Sequence, residues 1–144
     1  MSDGGLRALF RKHLSDIFWQ AVETGGVGRG VPDSYYCGRR IDGAGRMGWV
    51  EFKATPTTRI KFELGQVAWH DRHARSGGTS FIAVRRQHEG GPRLGPPVDE
   101  FYLFASDRVV ELDRVGLLAP TPTLHFVGGV RRWEWSQVGQ VLLR

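Results

Sequence analysis

A single cysteine, Cys37, leaves no internal disulfide framework and suits a reducing, intracellular setting. No stretch approaches the ~18 consecutive apolar residues of a membrane-spanning helix, so no membrane association is expected. The opening MSDGGLRALFRKHLSD lacks the apolar core of a secretory signal. Internal repeats, low-complexity tracts and interdomain linkers are absent as well. What remains reads as one globular α/β domain over residues 1–144, with 40% hydrophobic and 24% charged residues. Lysine is scarce and arginine abundant. The net charge of +5 and pI near 10 favour a polyanionic partner, although many proteins with this balance never meet nucleic acid.

The pattern of apolar residues predicts the elements. Asp3 can cap a helix with Leu6, Leu9, Phe10, Leu14, Ile17 and Phe18 as its apolar stripe. A short strand follows over residues 19–23, then a glycine-rich loop, TGGVGRGVP, up to Asp33. DSYYC and GWVEFKA read as two arms of a hairpin, and TPTTRIKF as a polar connection. A helix over residues 63–76 ends at Gly77-Gly78, and TSFIAVR reads as a buried strand. Residues 87–97 form a loop and DEFYLFA another strand. Ser106 or Asp107 would cap a short helix reaching Leu118, and WEWSQVGQVLL closes the chain as a helix. This order gives a central mixed sheet flanked by helices.

GGVGRG looks like a nucleotide-binding loop, but its context is wrong. A dinucleotide fingerprint needs its last glycine to open a helix, whereas here Pro32 pushes Val31 toward extended backbone. No GK[ST] follows either, which excludes a Walker loop. Close backbone approach, or a flexible turn, explains the glycines better.

The acids make a stronger pattern. In the hairpin, Val50, Phe52 and Ala54 point one way and Trp49, Glu51 and Lys53 the other. Asp33 opens the neighbouring arm, so its carboxylate can stand near that of Glu51. Two adjacent carboxylates repel unless a divalent cation compensates, and Mg²⁺ commonly takes one or two carboxylates plus water and phosphate. Lys53 would then sit beside the metal-bound water, to orient or deprotonate it or to neutralise developing charge. An exposed hairpin with a cross-strand ion pair is the commoner origin of such spacing.

Pro32-Asp33, residues 34–50, then Glu51-Phe52-Lys53 resembles the PD-(D/E)xK nuclease superfamily. The helix LGQVAWHDRHARSGG followed by TSFIAVR is similar to the Q-x-x-W helix, glycine and strand of virus-type replication-repair nucleases. Archaeal-type Holliday junction resolvases share this order, and ETGGVGRGVPDSYYC with GPPVDEFYLF resembles small bacteriophage nucleases. The resemblance implies a restriction-endonuclease-like fold and Mg²⁺-dependent DNA cleavage, with Mn²⁺ as a substitute metal. It makes Asp33, Glu51 and the Phe52 carbonyl the metal ligands, Lys53 the catalytic lysine and Gln66 a neighbour of the site. The family's further acid is harder to place: Asp3 and Asp16 lie in no clean motif, and Glu23 is the preferred substitute. Branched or junction DNA, cut by a homodimer, is the implied substrate. The rivals are a nonspecific or nicking phage nuclease and a noncatalytic DNA-binding or virion-assembly module.

Arg29, Arg39, Arg40, Arg59 and Lys61 are the expected phosphate contacts around the site, with Arg72 and Arg75 in reserve. Arg85-Arg86 and Arg131-Arg132 read as solvated charge. His70, His73 and Cys37 lack the regular spacing of a zinc site, and the histidines are expected to be solvated or to touch phosphate. Cys37 is expected in the core. No helix resembles a base-reading element, so recognition of structure or backbone is favoured.

Overall fold

A computed structural model describes residues 3–22 and 29–144. Its elements are α1 (Leu6–His13), β1 (Phe18–Ala21), β2 (Ser34–Arg39), β3 (Gly45–Thr55), α2 (Gln66–Arg75), β4 (Ser80–His88), β5 (Val98–Ala105), α3 (Val109–Val115), β6 (Leu124–Phe126) and α4 (Trp135–Leu142). Short 3₁₀ turns span Ser106–Arg108 and Val130–Arg132. The six strands lie in chain order in one sheet. Only β3 and β4 run parallel; α2 makes the crossover between them. The architecture is the α/β mixed sheet with flanking helices that the apolar pattern implies.

Alternation along β3 and β4 builds a core on each face. Val50, Phe52, Phe81 and Ala83 face α1 and α4, where Phe10 is fully buried among Trp19, Phe52, Phe101 and Trp135 rings at 5.0–5.8 Å. Ile82, Val84, Tyr102 and Phe104 face α2 and α3, with Val109 and Leu112 packed on them. Glu51 and Lys53 belong to this second face, opposite Ile82 and Val84 on β4. They are therefore roofed by α2.

Several expected boundaries move. The first helix ends at His13, because the chain turns at Leu14–Ile17 and the Trp19 indole N–H donates to the Leu14 carbonyl at 3.1 Å. Phe18 accordingly leaves the apolar stripe, starts β1 and is 58% exposed. Asp3 accepts the Gly5 N–H at 2.8 Å, closing a turn before the helix and leaving the helix N-cap to Gly5. The second helix starts at Gln66, three residues later than expected. β4 runs on to His88, and β6 was not foreseen: with three residues and one partner strand, it has too little periodicity to read. Arg85 and Arg86 are not solvated charge. Arg85 makes a two-pronged pair with Asp99 at 2.8 Å, and Arg86 reaches Glu100 at 3.2 Å.

The glycine loop's expected close approach is real at its described end. Gly30 (φ 89°) abuts Gly65 (φ 88°), and a Cβ on Gly30 would overlap the Gly65 carbonyl. Both backbones lie in the left-handed region that favours glycine. The contact ties the segment leading into Asp33 to the N-terminus of α2.

Candidate active site

β3 is buried on both faces from Val50 to Lys53, yet it carries a carboxylate and an ammonium there. Glu51 is 1% exposed and Lys53 8%, which removes the exposed-hairpin explanation of the pair. Gln66, the first residue of α2, connects them. Its amide oxygen accepts from the Lys53 ammonium at 2.7 Å and from the Glu63 N–H at 2.7 Å, while its amide NH₂ donates to Glu51 Oε2 at 3.0 Å. The Lys53 ammonium also lies over the Phe62 ring, 5.2 Å from its centre.

Pairing of β2 with β3 stops at Ser34↔Val50. Two residues on, the Phe52 N–H has no strand partner on that side, and Asp33 Oδ2 accepts it at 2.9 Å. Because the N–H and C=O of one strand residue point to the same edge, the Phe52 carbonyl faces Asp33 too. Asp33, Glu51, Phe52, Lys53 and Gln66 are thus brought together. Glu23 lies outside the described residues. Asp3 and Asp16 do not join the cluster: α1 packs on the opposite, Val50–Phe52 face, and Asp3 is engaged by Gly5 and Arg7.

Electrostatically the pocket is under tension. Burial raises the Glu51 carboxyl to about 9, and the neighbouring Asp33 carboxylate adds to this while Lys53 opposes it. His70, fully buried on α2, stands with Nε2 3.7 Å from Glu51 Oε1; burial, helped by His73 and Lys53, lowers it to about 3. In the metal-free protein a neutral carboxyl therefore faces a neutral imidazole. Neither His70 nitrogen nor Glu51 Oε1 has a hydrogen-bond partner among the described residues. This corrects the expectation that His70 is solvated or touches phosphate. Position i+4 from Gln66 put it on the same helix face, but only packing could show that this face is covered.

Glu51 Oε1 and the Phe52 carbonyl form, with Asp33, an oxygen donor set that fits Mg²⁺ or Mn²⁺. Among the described residues no group of three or more His, Cys, Asp or Glu side chains gathers, so the set consists of two carboxylates and one backbone carbonyl. Cys37 sits half-buried opposite Met47 and Phe18 on the sheet, outside the core.

The five expected phosphate contacts separate. Arg29 lines a groove of about 480 Å³ beside α2, with Trp69, Arg72 and His73. Lys61 is exposed on the connection after β3. Arg59 is turned to α3, donating to the Arg114 and Asp113 carbonyls at 2.8 and 3.3 Å. Arg39 and Arg40 lie at the far end of the hairpin, bonded to Gly43 and Asp42. Five residues of strand at ~3.3 Å each put Arg39 roughly 17 Å from Ser34, so these two do not flank the carboxylates. No helix of the described residues is long and apolar enough to cross a membrane. No family model, curated protein or solved structure matches the chain.

Proposed function

We propose that this protein is a metal-dependent endonuclease that hydrolyses DNA phosphodiester bonds. The observation that carries the reading is the buried Glu51 Oε1 beside Asp33, without a hydrogen-bond partner among the described residues, with Lys53 tied through Gln66 to the same carboxylate. A buried acid held at such cost beside another acid is poor design for stability and good design for a cation site. Asp33, Glu51 and the Phe52 carbonyl would hold Mg²⁺ or Mn²⁺, which when bound supplies an activated water and charge stabilisation at the leaving oxygen. Lys53 would place Nζ beside that water and the scissile phosphate, to orient or deprotonate the water or to neutralise developing charge. Gln66 fixes both Lys53 and Glu51 and is a positioning residue. Arg29 and Lys61 are the cations best placed to hold phosphates. Branched or junction DNA and a homodimeric assembly are the substrate and state that the superfamily resemblance suggests.

The test is incubation with supercoiled plasmid, with Mg²⁺ and with EDTA, for wild type and Glu51→Gln. Conversion to nicked or linear DNA only by wild type with Mg²⁺ is expected. DNA binding without conversion would instead favour a noncatalytic module. A panel of linear, flapped, single-stranded and four-way substrates then reads the preferred structure.

A further inference from the structure

The face of the sheet that carries Glu51 is roofed by α2 and α3 only over β3–β5. Toward β1 none of the helices of the described residues covers it, and aromatic residues occupy it. Register places Phe18 opposite Cys37, Tyr35 opposite Trp49 and Cys37 opposite Met47, all on the Glu51 face. Neighbouring rings form an unbroken run from the sheet edge to α2: Phe18–Tyr35 at 6.5 Å, Tyr35–Trp49 at 5.6 Å, Trp49–Trp69 at 5.8 Å and Trp69–His73 at 4.5 Å. Phe18 is 58% exposed and Met47 61%; Tyr35, Trp49, Trp69 and His73 are each partly open. An ordinary solvated sheet face would carry threonine, lysine or glutamate at these positions.

Two further observations say what covers this face. At its α2 end the run enters the groove lined by Arg29 and Arg72, so its boundary is cationic, in a chain of net charge +5. Along β3, Trp49 is two residues from Glu51 and points to the same side. Ring faces beside guanidinium groups suit a chain of flat bases on a phosphate backbone, and do not suit a base-paired duplex whose rings are already stacked on one another. We infer that the Phe18–Tyr35–Trp49–Trp69 face is a stacking platform for the unpaired bases of single-stranded DNA, feeding that strand toward Asp33 and Glu51. The delivery to a cleavage site rests on the nuclease reading. The binding does not.

The experiment is fluorescence anisotropy of a labelled 20-nucleotide oligo-dT and of a blunt 20-base-pair duplex, both in EDTA so that no cleavage intervenes. Wild type should hold the single strand more tightly than the duplex. Phe18→Ala and Tyr35→Ala should each weaken single-strand binding by about 5- to 150-fold, the range for losing one stacked base, with duplex affinity unchanged. Phe18→Leu and Tyr35→Leu keep apolar area without a ring face and should weaken binding comparably; they carry the test if an alanine variant misfolds. Tyr35→Phe should bind like wild type. Unchanged single-strand affinity in the leucine variants, or equal loss for strand and duplex, overturns the proposal. So does a wild-type dimer that these variants convert to monomer, which would assign the face to a second copy of the chain. Failure of the nuclease reading is read separately: Glu51→Gln should bind oligo-dT as wild type does, and a plasmid that stays uncut with Mg²⁺ leaves the platform standing.

Discussion

Replacing Glu51 by glutamine removes an ionisable proton at nearly constant shape, and the pH dependence of stability should register it. In the metal-free fold the Glu51 carboxyl is raised from its ordinary 4.5 to about 9, so the folded protein keeps a proton that the unfolded chain gives up. The resulting stabilisation is complete below pH 4.5 and is lost as pH rises toward 9. His70 works in the opposite sense. Lowered from 6.5 to about 3, it contributes stability present above pH 6.5 and lost as pH falls toward 3. Between pH 4.5 and 6.5 the Glu51 and His70 slopes oppose each other and nearly cancel, while His73, also lowered by burial, adds a shallow rise. Above 6.5 only Glu51 acts, and at 1.36 kcal/mol per pH unit the protein should lose about 3 kcal/mol by pH 9. Urea denaturation in EDTA across pH 4.5–9 measures this. Wild type should rise slightly and then fall; Glu51→Gln should rise up to pH 6.5 and then stay flat. Mg²⁺ selects the ionised carboxylate, so it should restore wild-type stability more at pH 8.5 than at 5.5 and leave the variant unmoved. An alkaline slope that is the same in wild type and Glu51→Gln would refute the reasoning, because some other group would then be responsible.

Lys53→Ala should lower the single-turnover rate at saturating DNA by roughly 10²–10⁴-fold, with Mg²⁺ affinity little changed. Lys53→Arg separates the roles: retained activity would leave this side chain an electrostatic part only, since arginine does not deprotonate at working pH. Gln66→Leu removes the shared partner of Lys53, Glu51 and the Glu63 N–H, and should cost roughly 2–4 kcal/mol in urea denaturation while reducing turnover. Gly30→Ala forces a side chain into left-handed backbone against the Gly65 carbonyl; a loss of at least about 1–3 kcal/mol in thermal or urea unfolding is expected.

The proposed ligand residues were legible in the sequence because β3 obeys a strict period of two. Once Trp49, Glu51 and Lys53 share a face and Asp33 opens the adjacent arm, proximity follows from strand geometry alone. Burial was not legible. A Glu-x-Lys face is normally solvated, and only the crossover that lays α2 over β3 excludes water from this one. The same covering explains His70: its helix face was readable, its dry surroundings were not. Arg59, Arg39 and Arg40 show the converse limit. Nearness to β3 in sequence suggested nearness to the site. Instead the hairpin carries two of them down its length, and the end of α3 takes the third. The second helix starts late because Gln66 folds back to accept the Glu63 N–H. That choice belongs to the site as much as to the helix.

Why the site lies where it does follows from Pro32. Continuing the register Ser34↔Val50 by two more residues would set Pro32 against Phe52, and proline has no N–H to give to an interior ladder. The sheet therefore opens at that point. Phe52, with β4 on its other side, is left with an amide and carbonyl beyond the end of the β2 ladder in a buried setting, where an unmet polar group costs about 1–3 kcal/mol. Asp33, the next residue after the proline, meets the amide with its carboxylate and stands beside Glu51 as a result. One residue that cannot continue a strand thus produces the gap, the acid that enters it and the backbone oxygen that a cation would need, and Pro32-Asp33 can be understood as a single structural device rather than two adjacent residues.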